Sequence, residues 1–350
     1  MLTLKWPSIT SNVLKSDVIK FLVIADPQLI GYNEVVLGWF QRWDSDKYLE
    51  KTFYAARKHF NPDLIIFLGD IFDQGFKASN EQFKCYIQRF SNLYKIQELE
   101  KVAIIPGDND IGGEGEEIFN PISEKRFLKS LGPHTDFPQQ YKFLHIHHDV
   151  GMMQCERPLM HDLGPKVVKV NKGQGQVELQ KVNVLSKNYT QAKVKKNSLI
   201  MAISHIPLIP MKGIFIDKSL QAVSPNVVFS AHVHKSIHVF EKTEAKSRIK
   251  FTFPFCENGE VEKLILTTPL IHEIVVPTAS YRMGENQIGF GAGVLDINGT
   301  MTYTVLWLPS RLKQITVYVI YISIVILFLS VYYMQYVFLI PFKFLQTFYK

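Results

Sequence analysis

Five stretches of the chain run through apolar, strand-like residues and stop on a side chain that can bind a metal. They are FLVIADPQ at 21–28, LIIFLGDIFD at 64–73, VAIIPGDND at 102–110, LIMAISH at 199–205 and NVVFSAHVH at 226–234. Together they deliver Asp26, Gln28, Asp70, Asp108, His205, His232 and His234 to the carboxyl ends of strands, the edge at which open α/β sheets gather their ligands. Carboxylate, imidazole and carboxamide together suit divalent ions such as Mn, Fe and Zn, and one bridging carboxylate can hold two ions about 3.5 to 4 Å apart. Asp70 is the candidate bridge; Asp26, Gln28 and His234 complete one site, and Asp108, His205 and His232 the other. Three carboxylates against two dications leave a net charge of about plus one, which attracts a phosphate and favours a metal-bound hydroxide as nucleophile. The chemistry expected of such a site is phosphoester hydrolysis.

The elements that position these residues follow from periodicity. Each apolar run is followed by an amphipathic stretch, so residues 18–310 read as one α/β domain preceded by an N-terminal arm at 1–17. The segment 80–99 places Phe83, Ile87, Phe90, Leu93 and Tyr94 near helical spacing, and Tyr48 to His59 is a second helix, stopped by Asn61-Pro62. Between Thr135 and Ser198 short alternating runs predict hairpin strands. After His234 six more β-like segments, from SIHVFEK to MTYTVLWLP, predict a second sheet packed on the first. Trp39, Phe40 and Trp43 could line a substrate groove, but burial of a helix face is the preferred reading. His145, His147 and His148 read as ordinary polar strand positions, and Gly112-Gly113-Glu114-Gly115 as a loop beside the third block, since a P-loop's lysine and hydroxyl are missing.

The chain has 350 residues, 47% of them apolar and 20% charged, a globular balance with material for a sizeable core. The net charge of +7 is partly local, because eight lysines against one glutamate fall between Lys166 and Lys196. That segment reads as a solvated strand pair or insertion, with an anionic membrane surface as the sharper alternative, and no nucleic-acid partner is expected. Cys85, Cys155 and Cys256 encode neither a disulfide framework nor a CxxC metal site. The run at 315–340, ITVYVIYISIVILFLSVYYMQYVFLI, carries no charge. At about 1.5 Å per residue it is long enough to cross a hydrocarbon core of about 30 Å, and it leaves a short tail at 341–350. No apolar stretch of signal-peptide length precedes the first strand, which reads as a tail-anchored protein; sequons at Asn188 and Asn298 point instead to a luminal domain. Nothing in the sequence sets an oligomeric state.

Taken in order, the blocks resemble those of the calcineurin-like metallophosphoesterase superfamily, whose signature is DxH, GDxxD, GNH(D/E), a lone His and GHxH. The resemblance implies a four-layer α-β-β-α sandwich of two mixed sheets. It makes Asp26, Asp70, His205, His232 and His234 ligands, with Asp73 orienting them. Three positions depart from the signature: Gln28 replaces the DxH histidine, Asp108 replaces the Asn ligand, and Asn109 replaces the histidine that contacts phosphate or protonates the leaving group. Asn109 can donate a hydrogen bond but no proton near neutral pH. An oxygen-rich ligand set favours two Mn ions over Zn. Within the superfamily, GDIFDQG, PGDNDIGGEG, ISHIPL and a helix after the domain are similar to the membrane-anchored metallophosphoesterase 1 branch. That resemblance implies removal of ethanolamine phosphate from a mannose of a GPI glycan in the ER and Golgi. The alternative is a catalytically weakened member acting as a membrane-bound binding or trafficking factor.

Overall fold

The computed structural model describes residues 5–8, 18–32, 37–99, 101–113, 120–131, 145–146, 166–171, 176–181, 198–210, 216–217, 220, 225–244, 247–266, 270–296 and 299–348. In chain order the strands are β1 (Val18–Ile24), β2 (Leu64–Phe67), β3 (Val102–Ile104), β4 (His145–Ile146), β5 (Lys166–Asn171), β6 (Gln176–Lys181) and β7 (Ser198–Ser204). They continue with β8 (Val227–Ser230), β9 (Ile237–Glu244), β10 (Ser247–Pro254), β11 (Glu262–Ile265), β12 (Leu270–Val275), β13 (Gly289–Asp296) and β14 (Thr300–Trp307). The α-helices are α1 (Gly38–Phe60), α2 (Asn80–Tyr94), α3 (Asp108–Ile111), α4 (Pro121–Leu131) and α5 (Arg311–Phe348).

The strands form two mixed sheets with helices, an α/β fold. One sheet has the order β11-β14-β13-β1-β2-β3; the other runs β10-β9-β12-β8-β7-β5-β6, with β4 also paired to β7. The simple division into an early and a late sheet is therefore wrong. β13 pairs antiparallel with β1, and β14 and β11 extend that first sheet, while β7 and β8 belong to the second with β12, β9 and β10. The site must form where the parallel trio β1–β2–β3 of one sheet and the parallel pair β7–β8 of the other end together. The lysine-rich segment does supply a strand pair, β5 and β6, at the margin of the second sheet.

β1 shows why the core has two compartments. Phe21, Val23 and Ala25 point between the sheets against Met201, Ile203, Val227, Phe229 and Tyr303, whereas Leu22 and Ile24 face α1 and α2 through Leu49, Phe53 and Phe90. A strand buried on both faces reads as a continuous apolar run, which FLVIA is. On the outer side of the second sheet, Leu208, Ile209, Ile216 and Leu220 cover Ala202 and Val228.

α2 occupies the predicted segment and opens with a capping box: Gln82 N–H donates to Ser79 Oγ (3.2 Å), and Ser79 N–H to Gln82 Oε1 (3.0 Å). α1 ends as expected, with Asn61 in the left-handed region (φ 49°) donating to the Arg57 carbonyl. It begins ten residues earlier than the sequence suggested. The residue before it, Leu37, has φ 53° and no side-chain cap, so no start signal was there to read. Trp39, Phe40 and Trp43 lie on this added portion and are exposed, which overturns their expected burial in the core.

Two compact units divide the chain, Met1–Leu308 and Pro309–Lys350. The second carries α5, in which Arg311–Val337 has mean hydropathy 2.4 and no buried share, long and apolar enough to cross a membrane. The helix itself runs on through residues assigned from sequence to a short tail. Cys85 is exposed and Cys256 buried, both as free thiols. His147, His148, Cys155, Asn188 and Asn298 lie outside the described residues.

Between β9 and β12, His238 Nε2 meets His272 Nδ1 at 3.1 Å. Burial, reinforced by His272, pushes His238 below its ordinary 6.5 to about 4. Between those values the unfolded chain binds a proton that the folded chain refuses, so stability falls as pH drops from 6.5 toward 4. The expected loss from this residue between pH 7 and 5.5 is about 1 kcal/mol. His238→Gln, which keeps a donor without titrating, should flatten the fall of Tm over that interval. Identical pH slopes in the two proteins would contradict this account.

Candidate metal centre

Five of the seven ligands predicted from sequence share an unusual backbone state. Asp26 (φ 46°), Gln28 (45°), Asp70 (49°), His232 (65°) and His234 (64°) all lie in the left-handed region. Asp, Asn and His tolerate it best, but each such residue costs on the order of 1–3 kcal/mol and persists where the surroundings over-determine it. Each lies within four residues after the end of β1, β2 or β8. Gly69 and Gly107 make the close approach possible. A Cβ on Gly107 would stand 2.1 Å from Asp70 Oδ1, and one on Gly69 (φ 90°) would stand 2.6 Å from Gly107 N.

Asp26, Asp70, Asp108, His205 and His232 come together in one largely buried cluster. Ligand atoms of Asp26, Asp70 and His205 lie within 4.8 Å of one another, as do those of Asp108, His205 and His232. His205 Nε2 is 2.9 Å from Asp108 Oδ1 and 3.5 Å from Asp70 Oδ1. His232 Nδ1 is 3.2 Å from Asp108 Oδ1, and His234 Nε2 is 4.0 Å from Asp26 Oδ1. His205 Nδ1 lies 2.7 Å from the Leu68 carbonyl, to which it donates, leaving Nε2 to accept a metal. The residue common to both groups is His205, yet a single lone pair serves one ion, whereas a carboxylate offers two oxygens. Asp70 remains the candidate bridge on that ground.

Of the three substituted positions, Gln28 and Asn109 turn to Asp70. Gln28 Nε2 donates to Asp70 Oδ2 (3.1 Å), and Asn109 donates its backbone N–H to Oδ1 (3.0 Å) and its Nδ2 to Oδ2 (2.7 Å). Rotating the Gln28 amide by half a turn exchanges its nitrogen for the oxygen that could ligate.

Electrostatics decide what the cluster can hold. Asp26 and Asp70 are almost fully buried. Burial pushes both carboxyls above the usual range, and the neighbouring carboxylates add to the rise, against the opposing pull of His205. For His205 burial works downward, but Asp70, Asp108 and Asp26 together outweigh it and hold the imidazole well above its ordinary value. Burial lowers His234, which leaves that ring neutral and fit to ligate. Without cations, then, the cluster must keep protons. Neither Oδ1 nor Oδ2 of Asp26 has a hydrogen-bond partner. A buried carboxylate with no donor is costly unless a cation completes it, so the residues fit a pair of divalent ions.

Supporting residues were only partly foreseen. Asp73, expected to orient ligands, accepts from Gly31 N–H (2.7 Å) and from Arg282 (3.4 Å), tying down the loop that follows Gln28. Asp110 had no assigned role. It is fully buried and accepts from the N–H groups of Ile71 (3.1 Å), Phe72 (2.9 Å) and Gly107 (2.9 Å), clamping the second block to the third. The acidic fourth position of GNH(D/E) was the signal that could have found it. Thr278 Oγ1 donates to the Asp26 carbonyl (3.0 Å), a contact from 252 residues away that no local pattern announces.

Comparison with known proteins gives a consistent result. The family model for calcineurin-like phosphoesterases matches residues 19–236. Curated relatives include a metallophosphoesterase 1 homolog of Drosophila melanogaster, 29% identical over 108 residues (31% of this chain, 29% of that protein). Others are metallophosphoesterase 1 of Ailuropoda melanoleuca, 27% identical over 134 residues (38% and 33%), and the homolog of Caenorhabditis elegans, 29% over 108 residues (31% and 28%). The matches thus span about a third of the length of these relatives. Among solved structures, GAP50, the anchor in the inner membrane complex of Plasmodium, aligns over 84% of this chain and 85% of that one. Its 13% identity and TM-score of 0.39 are too low to support any conclusion.

Proposed function

This chain belongs to the calcineurin-like phosphoesterase family and carries its metal-dependent phosphoesterase domain, and we propose that it is a membrane-anchored phosphodiesterase removing ethanolamine phosphate from a GPI-glycan mannose in the ER and Golgi. The observation that carries the catalytic part is the buried carboxylate–imidazole cluster with its undonated Asp26 oxygens. The substrate is supported by the similarity of the GDIFDQG, PGDNDIGGEG and ISHIPL blocks to metallophosphoesterase 1. Anchoring is supported by the apolar helix α5.

Asp26, Gln28, Asp70 and His234 would hold one divalent ion, and Asp70, Asp108, His205 and His232 the other, with Mn favoured by the oxygen-rich set. Such ions would polarise the phosphoryl oxygens and lower the pKa of water for in-line attack. The protein's own part is to fix these ligands just past the ends of strands, to shield them from bulk water and to orient His205 through Leu68. Asn109 can hydrogen-bond a phosphoryl oxygen or Asp70 but cannot protonate a departing alkoxide. Leaving-group basicity should therefore weigh heavily on the rate.

Asn109→His should raise turnover of an alkyl phosphodiester about 10- to 100-fold while changing turnover of a p-nitrophenyl diester little, since only the first needs an acid. An equal change on both substrates would sink that assignment. The reading as a whole is tested with the purified full chain, Mn and a phosphoethanolamine-bearing GPI glycan, by mass spectrometry of released ethanolamine phosphate. Release that stops with chelator is expected. Stoichiometric glycan binding without release would instead support the weakened binding protein, the reading favoured by Gln28 and Asn109 both being turned to Asp70.

A further inference from the structure

The first turns of α1 expose an aromatic group that the catalytic reading does not use. Leu37 is 61% exposed, Trp39 67%, Phe40 45% and Trp43 55%. Their rings touch one another, Trp39–Phe40 and Phe40–Trp43 each at 5.8 Å between centroids, so they form one continuous patch. Scattered apolar residues on a surface are ordinary; a contiguous cluster rimmed by charge marks an interaction face. Farther along the helix Lys47 is paired with Glu50 (2.7 Å), and Lys51 is exposed.

We propose that this patch is a membrane-docking face, which seats the catalytic domain on the lipid–water interface of the bilayer that α5 enters. Three features favour lipid over a protein partner. Two exposed tryptophans and an exposed phenylalanine in mutual contact have the composition of an interfacial anchor, with indoles at headgroup level. Only residues 308–310 separate β14 from the apolar α5. A chain that short spans at most about 14 Å, so a domain anchored by α5 cannot leave the membrane surface. The patch is also joined to the site's rim. Arg42 Nη1 donates to the Gly31 carbonyl (3.1 Å) and its guanidinium lies over the Tyr32 ring (5.1 Å), while Gly31 N–H is held by Asp73. Docking there would bring the loop that carries Gln28 close to lipid-anchored substrates. This inference rests on the anchoring proposed above and not on the proposed catalysis.

The test uses the full chain in nanodiscs of phosphatidylcholine and phosphatidylserine, with doxyl groups on the lipid near the headgroup as quencher. The chain has four tryptophans, and subtracting the emission of Trp39→Phe/Trp43→Phe from that of the wild type isolates the two on α1. Roughly half or more of that difference emission should be lost to the lipid-borne quencher, and aqueous iodide should affect it little. The triple variant Trp39→Ser/Phe40→Ser/Trp43→Ser should keep its Tm, yet its α1 peptide should lose the slowing of hydrogen exchange on entering discs that is expected of the wild type. Difference emission open to iodide and untouched by doxyl lipid overturns the proposal. Shielding from both quenchers in a chain that has become dimeric assigns the face to a second copy and overturns it too. A chain that never enters the discs removes the anchoring and this face together, while release of ethanolamine phosphate remains separately measurable.

Discussion

Asp70→Asn should reduce turnover of any phosphodiester by about 10³-fold or more and bring bound metal from two equivalents to at most one. The substitution keeps the shape and removes the charge. In the native protein the carboxylate receives Asn109 N–H, Asn109 Nδ2 and Gln28 Nε2, and Oδ1 stands 3.5 Å from His205 Nε2. An amide there turns one acceptor into a donor facing those donors, and it can no longer bridge two cations. The size of the effect follows from metal-assisted charge stabilisation of several kcal/mol, with each 1.36 kcal/mol worth about tenfold in rate. Folding should survive, because burial already disfavours the ionised form of Asp70. A metal-free Asn variant should melt within about 2 °C of the metal-free wild type, by calorimetry. Full metal occupancy in the variant would show that Asp70 is not the bridge.

The second large effect falls on stability. Asp110→Ala leaves the N–H groups of Ile71, Phe72 and Gly107 buried without their acceptor. At about 1–3 kcal/mol for each orphaned donor, the expected cost is roughly 4 kcal/mol, or a fall in Tm of about 8 °C for a domain of this size. Metal affinity should fall with it, since this clamp sets Gly107 against Asp70 and so places Asp108 and Asn109. Asp110→Asn retains one carbonyl oxygen and should lose less than the alanine variant. Equilibrium denaturation with matched metal titrations separates the two effects. A change in Tm below about 2 °C for the alanine variant would mean that water replaces the carboxylate, and the clamp would be unnecessary.

Much of the site could be read from the sequence because a metal ligand at a strand end is a local event. An apolar run stops, and residue types that tolerate a positive φ, such as Asp26 and His232, stand just beyond it. The distribution of strands between sheets is not local. β13 joins β1 across more than 260 residues, and its own sequence, GFGAGVLD, carries no mark of its partner. Gly293 hints at it only afterwards, because it leaves room for the Phe21 ring where a Cβ would stand 2.1 Å away. The start of α1 was missed for another physical reason. Without a capping side chain at Leu37, and with Trp39, Phe40 and Trp43 pointing outward, apolar spacing gave no helical face to follow. Asp110 carries no such mark because Asp108 in GDND is the more obvious ligand, whereas the work of Asp110 is to satisfy backbone donors at Ile71, Phe72 and Gly107.

On the proposal above, the ends of strands from two sheets assemble a binuclear site. Elemental analysis of the purified full chain, exchanged into metal-free buffer after saturation with Mn, measures this most directly. Close to two equivalents are expected in the wild type. One equivalent or none in a folded chain would contradict it.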